Sequence, residues 1–115
     1  MKTRKLTFES DQDRSYFPML YAGFMNGGNS PSPKGMEVTR REVRILDKLD
    51  DISHDVPETG ERVLNEGPQQ ILLDQPEYEL LKRYFENTPW TTKVARQVVN
   101  ISDWLANIQP EDNGA

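Results

Sequence analysis

The sequence predicts a helix-dominated α+β domain with three principal helices, a small β-hairpin and an extended N-terminal arm. Three observations carry this. Val94, Val98, Ile101, Leu105 and Ile108 recur at spacings of four, three, four and three, one apolar stripe at helical period. Asp74, Pro76 and Glu77 open another apolar run in capping-box order, a helix-start signature. Five of the ten aromatic residues (Phe8, Tyr16, Phe17, Tyr21, Phe24) precede residue 25, and a stretch rich in Gly, Ser, Pro and Asn separates them from the helices. The expected organisation is an N-terminal arm and flexible linker (1–35), a helical domain (36–109) and a disordered tail (110–115).

In chain order, Leu6-Thr7-Phe8 alternates like a short strand. Residues 16–25 hold four aromatics and two methionines. Phe17, Leu20, Tyr21 and Phe24 partly fit a helical face, with Pro18 tolerable in a first turn. Aromatic and Met side chains are enriched in interface cores, so Tyr16, Phe17, Tyr21 and Phe24 are candidate partner-binding residues on the arm. The linker that follows cannot bury enough apolar surface to order itself.

A helix is expected over 40–52, with Thr39 as N-cap and Glu42 completing a capping box. Its apolar face is Val43, Ile45, Leu46, Leu49 and Ile52. Arg40, Arg41 and Arg44 crowd the start while Asp47, Asp50 and Asp51 crowd the end, and both placements oppose the helix macrodipole. Sequences that break a local rule often do so at functional sites, so the three arginines join the partner-binding candidates. They would suit an acidic partner or a phosphate.

Residues 62–73 read as a hairpin, Arg62-Val63-Leu64 pairing with 69–73 across Asn65-Glu66-Gly67-Pro68. The next helix is expected over 76–87, with Tyr78, Leu81 and Phe85 on one face. A short connection makes it a neighbour of the last helix, 92–108. Trp90 plugs that corner, and Thr91 or Thr92 serves as N-cap.

Composition narrows the function classes. The 115 residues form one domain. No cysteine is present, which excludes disulfides and thiol chemistry and favours a cytosolic compartment. Lys2, Arg4 and Lys5 are followed by no apolar run, so no signal peptide is expected. No segment approaches about 18 apolar residues, so no membrane span is expected either. The net charge of −5 disfavours generic nucleic-acid binding. Residues 47–66 alone carry seven acids against Lys48 and Arg62.

No motif for catalysis emerges. Asp47, Asp51 and His54 stand at i, i+4 and i+7, but they lack the Gly and terminal Glu of a calcium loop. His54 is the only histidine, and no nucleophile motif accompanies it. Gly27-Gly28 is not followed by the Gly-Lys-Thr of a phosphate loop. No catalytic residue, metal ligand or cofactor is therefore assigned. A nucleic-acid alternative places Lys93, Arg96, Gln97 and Asn100 on the outer face of the last helix, where such side chains read base edges. Helices 76–87 and 92–108 would then form a helix-turn-helix-like pair with the hairpin as a wing.

Several stretches resemble small accessory proteins encoded among the structural genes of tailed bacteriophages: Val38-Thr39-Arg40-Arg41-Glu42-Val43-Arg44, Leu46-Asp47-Lys48-Leu49, Ile71-Leu72-Leu73, Glu77-Tyr78-Glu79-Leu80-Leu81-Lys82, Pro89-Trp90-Thr91-Thr92 and Ala95-Arg96-Gln97-Val98-Val99. The resemblance covers residues 38–108 and implies an assembly or accessory role without catalysis, in host cytoplasm or virion. The expected function is a non-enzymatic protein-binding or assembly factor, whose partner is another protein or its own copies. The alternatives are a small DNA-binding regulator and an acidic inhibitor of a nucleic-acid-binding host protein.

Overall fold

The computed structural model describes residues 2–27 and 35–112. Strand β1 (Lys2–Phe8) leads into helix α1 (Asp11–Gly27), and helix α2 (Met36–Asp51) into the short strands β2 (Ser53–Asp55) and β3 (Arg62–Leu64). Strand β4 (Gln69–Asp74) runs directly into helix α3 (Gln75–Asn87). A 3-10 turn (Thr92–Val94), helix α4 (Ala95–Ala106) and strand β5 (Pro110–Asp112) complete the chain. The domain is helix-rich α+β as expected, but among the described residues it has four α-helices, not three, and residues 2–27 form β1 and α1 rather than an extended arm.

β1 is the middle strand of the main sheet. It pairs antiparallel with β4 on one side and β5 on the other, in the order β4-β1-β5. Leu6 lies opposite Ile71, and Arg4 opposite Leu73. Leu6, Phe8, Ile71 and Leu73 are buried, while the intervening Leu72 is 42% exposed. Two-residue alternation therefore presents one face of the sheet to the helices. Pro110 is tolerated because β5 is an edge strand. Residues 110–112 thus form a strand where a frayed tail was expected; residues 113–115 lie outside the described residues.

The expected 62–73 hairpin does not form. β3 pairs with β2 instead, Ser53 opposite Leu64 and Asp55 opposite Arg62, and β4 pairs with β1. The turn at Asn65-Glu66-Gly67-Pro68 separates two sheets rather than closing one. Arg14 of α1 fastens this stretch, donating to the Asn65 carbonyl at 2.8 Å and to the Gly67 carbonyl.

α1 begins at a cap supplied by Ser10. The Asp13 amide donates to Ser10 Oγ at 3.1 Å, and Asp11 and Asp13 lie in the first turn, where the macrodipole favours acids. Tyr16, Phe17, Leu20, Gly23 and Phe24 form the buried stripe. Pro18 is therefore inside the helix, not in its first turn, with its ring on the exposed side. Phe8 meets Phe17 edge-on at 5.5 Å and Trp104 at 5.4 Å, and Phe24 stacks on Tyr84 at 5.4 Å. The N-terminal aromatics are the centre of the core. They are held there because β1 is hydrogen-bonded on both edges and α1 lies across α3. Asn26 and Gly27 of the expected linker belong to α1 and Gly35 caps α2; residues 28–34 lie outside the described residues.

α2 starts at Met36, four residues before the expected start, with Gly35 as an N-cap that supplies no side-chain bond. The Thr39–Glu42 capping box is not formed. Glu42 instead accepts from the Tyr84 hydroxyl at 2.9 Å. The Asp74–Glu77 box does form, the Glu77 amide donating to Asp74 Oδ1 at 2.8 Å and the Asp74 amide to Glu77 Oε1 at 2.9 Å. α4 begins at Ala95 after the 3-10 turn, with no side-chain cap from Thr91 or Thr92. Ile101 and Leu105 of its stripe are fully buried, whereas Val99 is 57% exposed. Trp90 fills the corner as expected: its indole N–H donates to the Phe85 carbonyl at 2.9 Å, and its ring lies 5.2 Å from Phe85.

Candidate interaction surface

α2 turns Ile45 and Leu49 into the core and presents its opposite side to solvent. Met36, Arg40, Val43 and Asp47 follow one another on that side at spacings of four, three and four, all exposed. Met36 is 65% and Val43 49% exposed, among the largest apolar exposures in the described residues. Arg44, Asp50 and Asp51 flank the row. The result is an outer face with two apolar side chains, bases toward its start and acids toward its end.

The three arginine candidates are not equivalent. Arg40 points to solvent, with no ion pair among the described residues. Arg44 is half-exposed and shares Glu77 at 3.3 Å. Arg41 leans back toward the body of the protein, 3.6 Å from Glu37. Its Nε is buried without a hydrogen-bond partner among the described residues.

Beneath this face lies a buried carboxylate that sequence reasoning missed. Glu77 is 2% exposed and accepts from Lys48 Nζ at 2.6 Å as well as from Arg44 and the Asp74 amide. Burial pushes its carboxyl up. The Lys48 hydrogen bond, the Asp74 amide and the neighbouring cationic charges outweigh that and hold it below the usual carboxylate range. Glu77 thereby fastens α2 to the start of α3. The capping-box motif signalled its backbone role, but nothing local in sequence signalled its burial.

The aromatic candidates lie elsewhere. Tyr16, Phe17 and Phe24 are buried in the core, which corrects the expectation of an exposed aromatic arm. Tyr21 is half-buried, and its hydroxyl donates to Asp50 Oδ1 at 3.1 Å. Burial, then Asp50, raises its phenol above the ordinary value. Over its ring, 5.3 Å away, sits the Arg62 guanidinium, which also reaches Asp50 at 2.9 Å, Asp55 at 3.2 Å and Ser53 Oγ at 2.8 Å. Arg62 thus neutralises part of the acidic 47–66 segment and bolts the β2–β3 ladder to α1 and α2.

Lys93, in the 3-10 turn before α4, and Arg96 and Asn100 of α4 are exposed, and Gln97 is half-buried. Asp103, also exposed, is the next charged residue along the helix. The wing expected beside this helix is absent, because β3 and β4 belong to different sheets. His54 accompanies Asn65, Nδ1 to Oδ1 at 2.8 Å. Among the described residues no three His, Cys, Asp or Glu side chains converge as a metal site.

A concavity of about 810 Å³ opens at the α3–α4 corner between Asn26, Gly27, Thr88, Trp90 and Val94. Among the described residues no ionisable side chain lines it. A second cleft, about 540 Å³, runs between α1 and the β2–β3 ladder, over Tyr21 and Met25. Its Arg62 and Asp55 are already paired with each other. No described helix is long and apolar enough to cross a membrane. No family model, curated protein or solved structure matches the chain.

Proposed function

We propose that this protein is a non-enzymatic protein-binding or assembly factor that docks through the outer face of α2. The observation that carries the reading is the exposed row of Met36, Arg40, Val43 and Asp47 on a helix whose other side is locked to α3 through Glu77. Apolar anchors ringed by charge are the ordinary composition of a docking patch. A rigid helix presents them without an ordering cost. The described lining of the α3–α4 concavity, which carries no ionisable side chain, favours binding over acid–base chemistry. The resemblance of residues 38–108 to accessory proteins of tailed-phage structural modules would imply a virion-assembly setting, and the cysteine-free composition suits host cytoplasm.

The test is co-purification from the producing cells with a tagged chain, comparing wild type with Arg40→Glu/Val43→Asp. The bound partner is expected to be lost from the variant while its circular dichroism is unchanged. Equal recovery by both refutes the α2 face as the docking surface.

A second reading, duplex DNA bound by α4, rests on the exposed Arg96 and Asn100 of that helix and Lys93 in the 3-10 turn before it. It requires salt-dependent binding that Arg96→Ala weakens.

A further inference from the structure

We infer that the partner on the outer face of α2 is a second copy of this chain, its α2 packed antiparallel about a two-fold axis between residues 43 and 44. The inference rests on the docking-face reading above and goes further by naming the occupant.

The charges select that arrangement. From residue 40 onward the exposed side carries bases first (Arg40, Arg44) and acids after (Asp47, Asp50, Asp51), while the exposed Glu37 is paired with Arg41. Within a single helix Asp50 and Asp51 lie unfavourably in the last turn, at the negative end of the dipole, beside Lys48, while the first turn carries Glu37. Placing a second α2 antiparallel inverts the relationship. Each basic half then meets an acidic half, and each helix start lies beside the other helix's end. An axis at the 43/44 junction sets Arg40 of one copy opposite Asp47 of the other, and Met36 beside Asp51. The two Val43 side chains meet next to the axis. A two-fold interface makes every such contact twice. Parallel pairing would set Arg40 against Arg40 and Asp47 against Asp47, so the same charges that favour one orientation disfavour the other.

The participating groups are free to do this. Arg40, Asp47 and Asp51 make no side-chain ion pair among the described residues. Arg44 and Asp50, committed in part to Glu77 and Arg62, flank the seam rather than forming it. A helix of 16 residues is about 24 Å long, and one such face falls short of the roughly 1,200–2,000 Å² of a standard stable interface. The association is therefore weak, concentration-dependent and sensitive to salt.

The experiment is sedimentation equilibrium of the full chain across a concentration series at low and high salt, with a charge swap. Arg40→Asp and Asp47→Arg each place like charges opposite one another. Each is expected to raise the dissociation constant about tenfold or more at low salt. The double variant Arg40→Asp/Asp47→Arg restores opposite pairs and is expected to recover wild-type association. An equimolar mixture of the two single variants is expected to associate as well, because each then faces its complement. Wild type that stays monomeric throughout, or single variants that associate as wild type does, overturns the inference, as does a mixture that fails to associate. Should wild type be monomeric while Arg40→Glu/Val43→Asp still loses a co-purified protein, the second copy is refuted and the docking face stands.

Discussion

Gly27 of α1 lies against the backbone of Tyr84 in α3 so closely that a Cβ at 27 would sit 1.8 Å from the Tyr84 carbonyl oxygen. Gly23, one turn earlier, would place a Cβ 2.7 Å from Phe85 Cδ1 and 2.9 Å from Trp90 Cζ2. Between them, the Thr88 hydroxyl lies 2.9 Å from the Gly23 carbonyl and 2.8 Å from that of Tyr84. The Gly-x-x-x-Gly spacing thus lets two helices touch backbone to backbone, and the pair closes the core over the N-terminal aromatics.

Gly23→Ala and Gly27→Ala are expected to destabilise the fold by about 1–3 kcal/mol each, as overpacking does. Helix propensity works the other way, favouring Ala over Gly by about 1 kcal/mol in a helix interior. The net effect is destabilising because the obstacle is a carbonyl oxygen at 27 and two packed rings at 23. Urea midpoints equal to or above wild type would show that α1 and α3 do not approach this closely.

Arg62→Ala is expected to cost about 1–3 kcal/mol, mainly through the hydrogen bond to buried Ser53. The pairs with exposed Asp50 and Asp55 add little. Arg62→Lys is not expected to rescue, since an ammonium cannot reproduce the guanidinium fork. The guanidinium charge also opposes the rise of the Tyr21 phenol, so in Arg62→Ala the Tyr21 ring should titrate at still higher pH. NMR of the Tyr21 ring during a pH titration checks this; an unmoved or lowered midpoint contradicts it.

Removing residues 1–34 is expected to unfold the chain. It takes away the middle strand of the sheet and six buried apolar side chains, Leu6, Phe8, Tyr16, Phe17, Leu20 and Phe24. Phe8→Ala and Phe17→Ala alone should each cost about 3–5 kcal/mol. Circular dichroism and denaturant melts decide; a truncated chain that melts cooperatively would mean that the helices fold without β1.

Local signals are legible in the sequence, and contacts spanning long loops are not. Asp74, Pro76 and Glu77 specify a helix start within four residues, and the box forms. The stripe through Ile101 and Leu105, and Trp90 at its corner, are likewise local. Leu6-Thr7-Phe8 looked strand-like, but its place in mid-sheet depends on Ile71 and Gln69, more than sixty residues on. The helical face of Phe17, Leu20 and Phe24 was visible, yet the Gly/Ser/Pro stretch after it suggested a tether. The Ser10–Asp13 cap and the Gly23–Gly27 spacing were the signals that place it in the core. Thr39 and Glu42 imitate a capping box, but Glu42 is claimed by Tyr84, 42 residues away. Of the candidate surface, the outward Arg40 and Arg44 were legible because they lie opposite the apolar stripe of α2. The burial of Glu77 beneath them was not, because it requires Lys48 and Arg44 to arrive from another helix.

That last arrangement makes stability depend on acid pH. Opposing burial, Lys48, the Asp74 amide and Arg44 hold the Glu77 carboxyl below its ordinary range. A folded-state pKa below the unfolded value of about 4.3 means that the unfolded chain takes up the proton first. The Glu77 contribution is therefore complete above that pH and is lost as pH falls through the depressed folded-state value. Glu77→Gln keeps the shape and the reach back to the Asp74 amide but removes the charge. It is expected to cost about 1–3 kcal/mol at neutral pH and to flatten the fall in stability below about pH 4.3. It leaves Lys48 and Arg44 unpaired, and at 37% and 52% side-chain exposure they regain water, so the loss stays below that of a stranded buried charge. Urea melts of wild type and variant across the acid range measure both effects. Parallel stability curves would show that the acid sensitivity lies elsewhere and that Glu77 is not the anchor between α2 and α3.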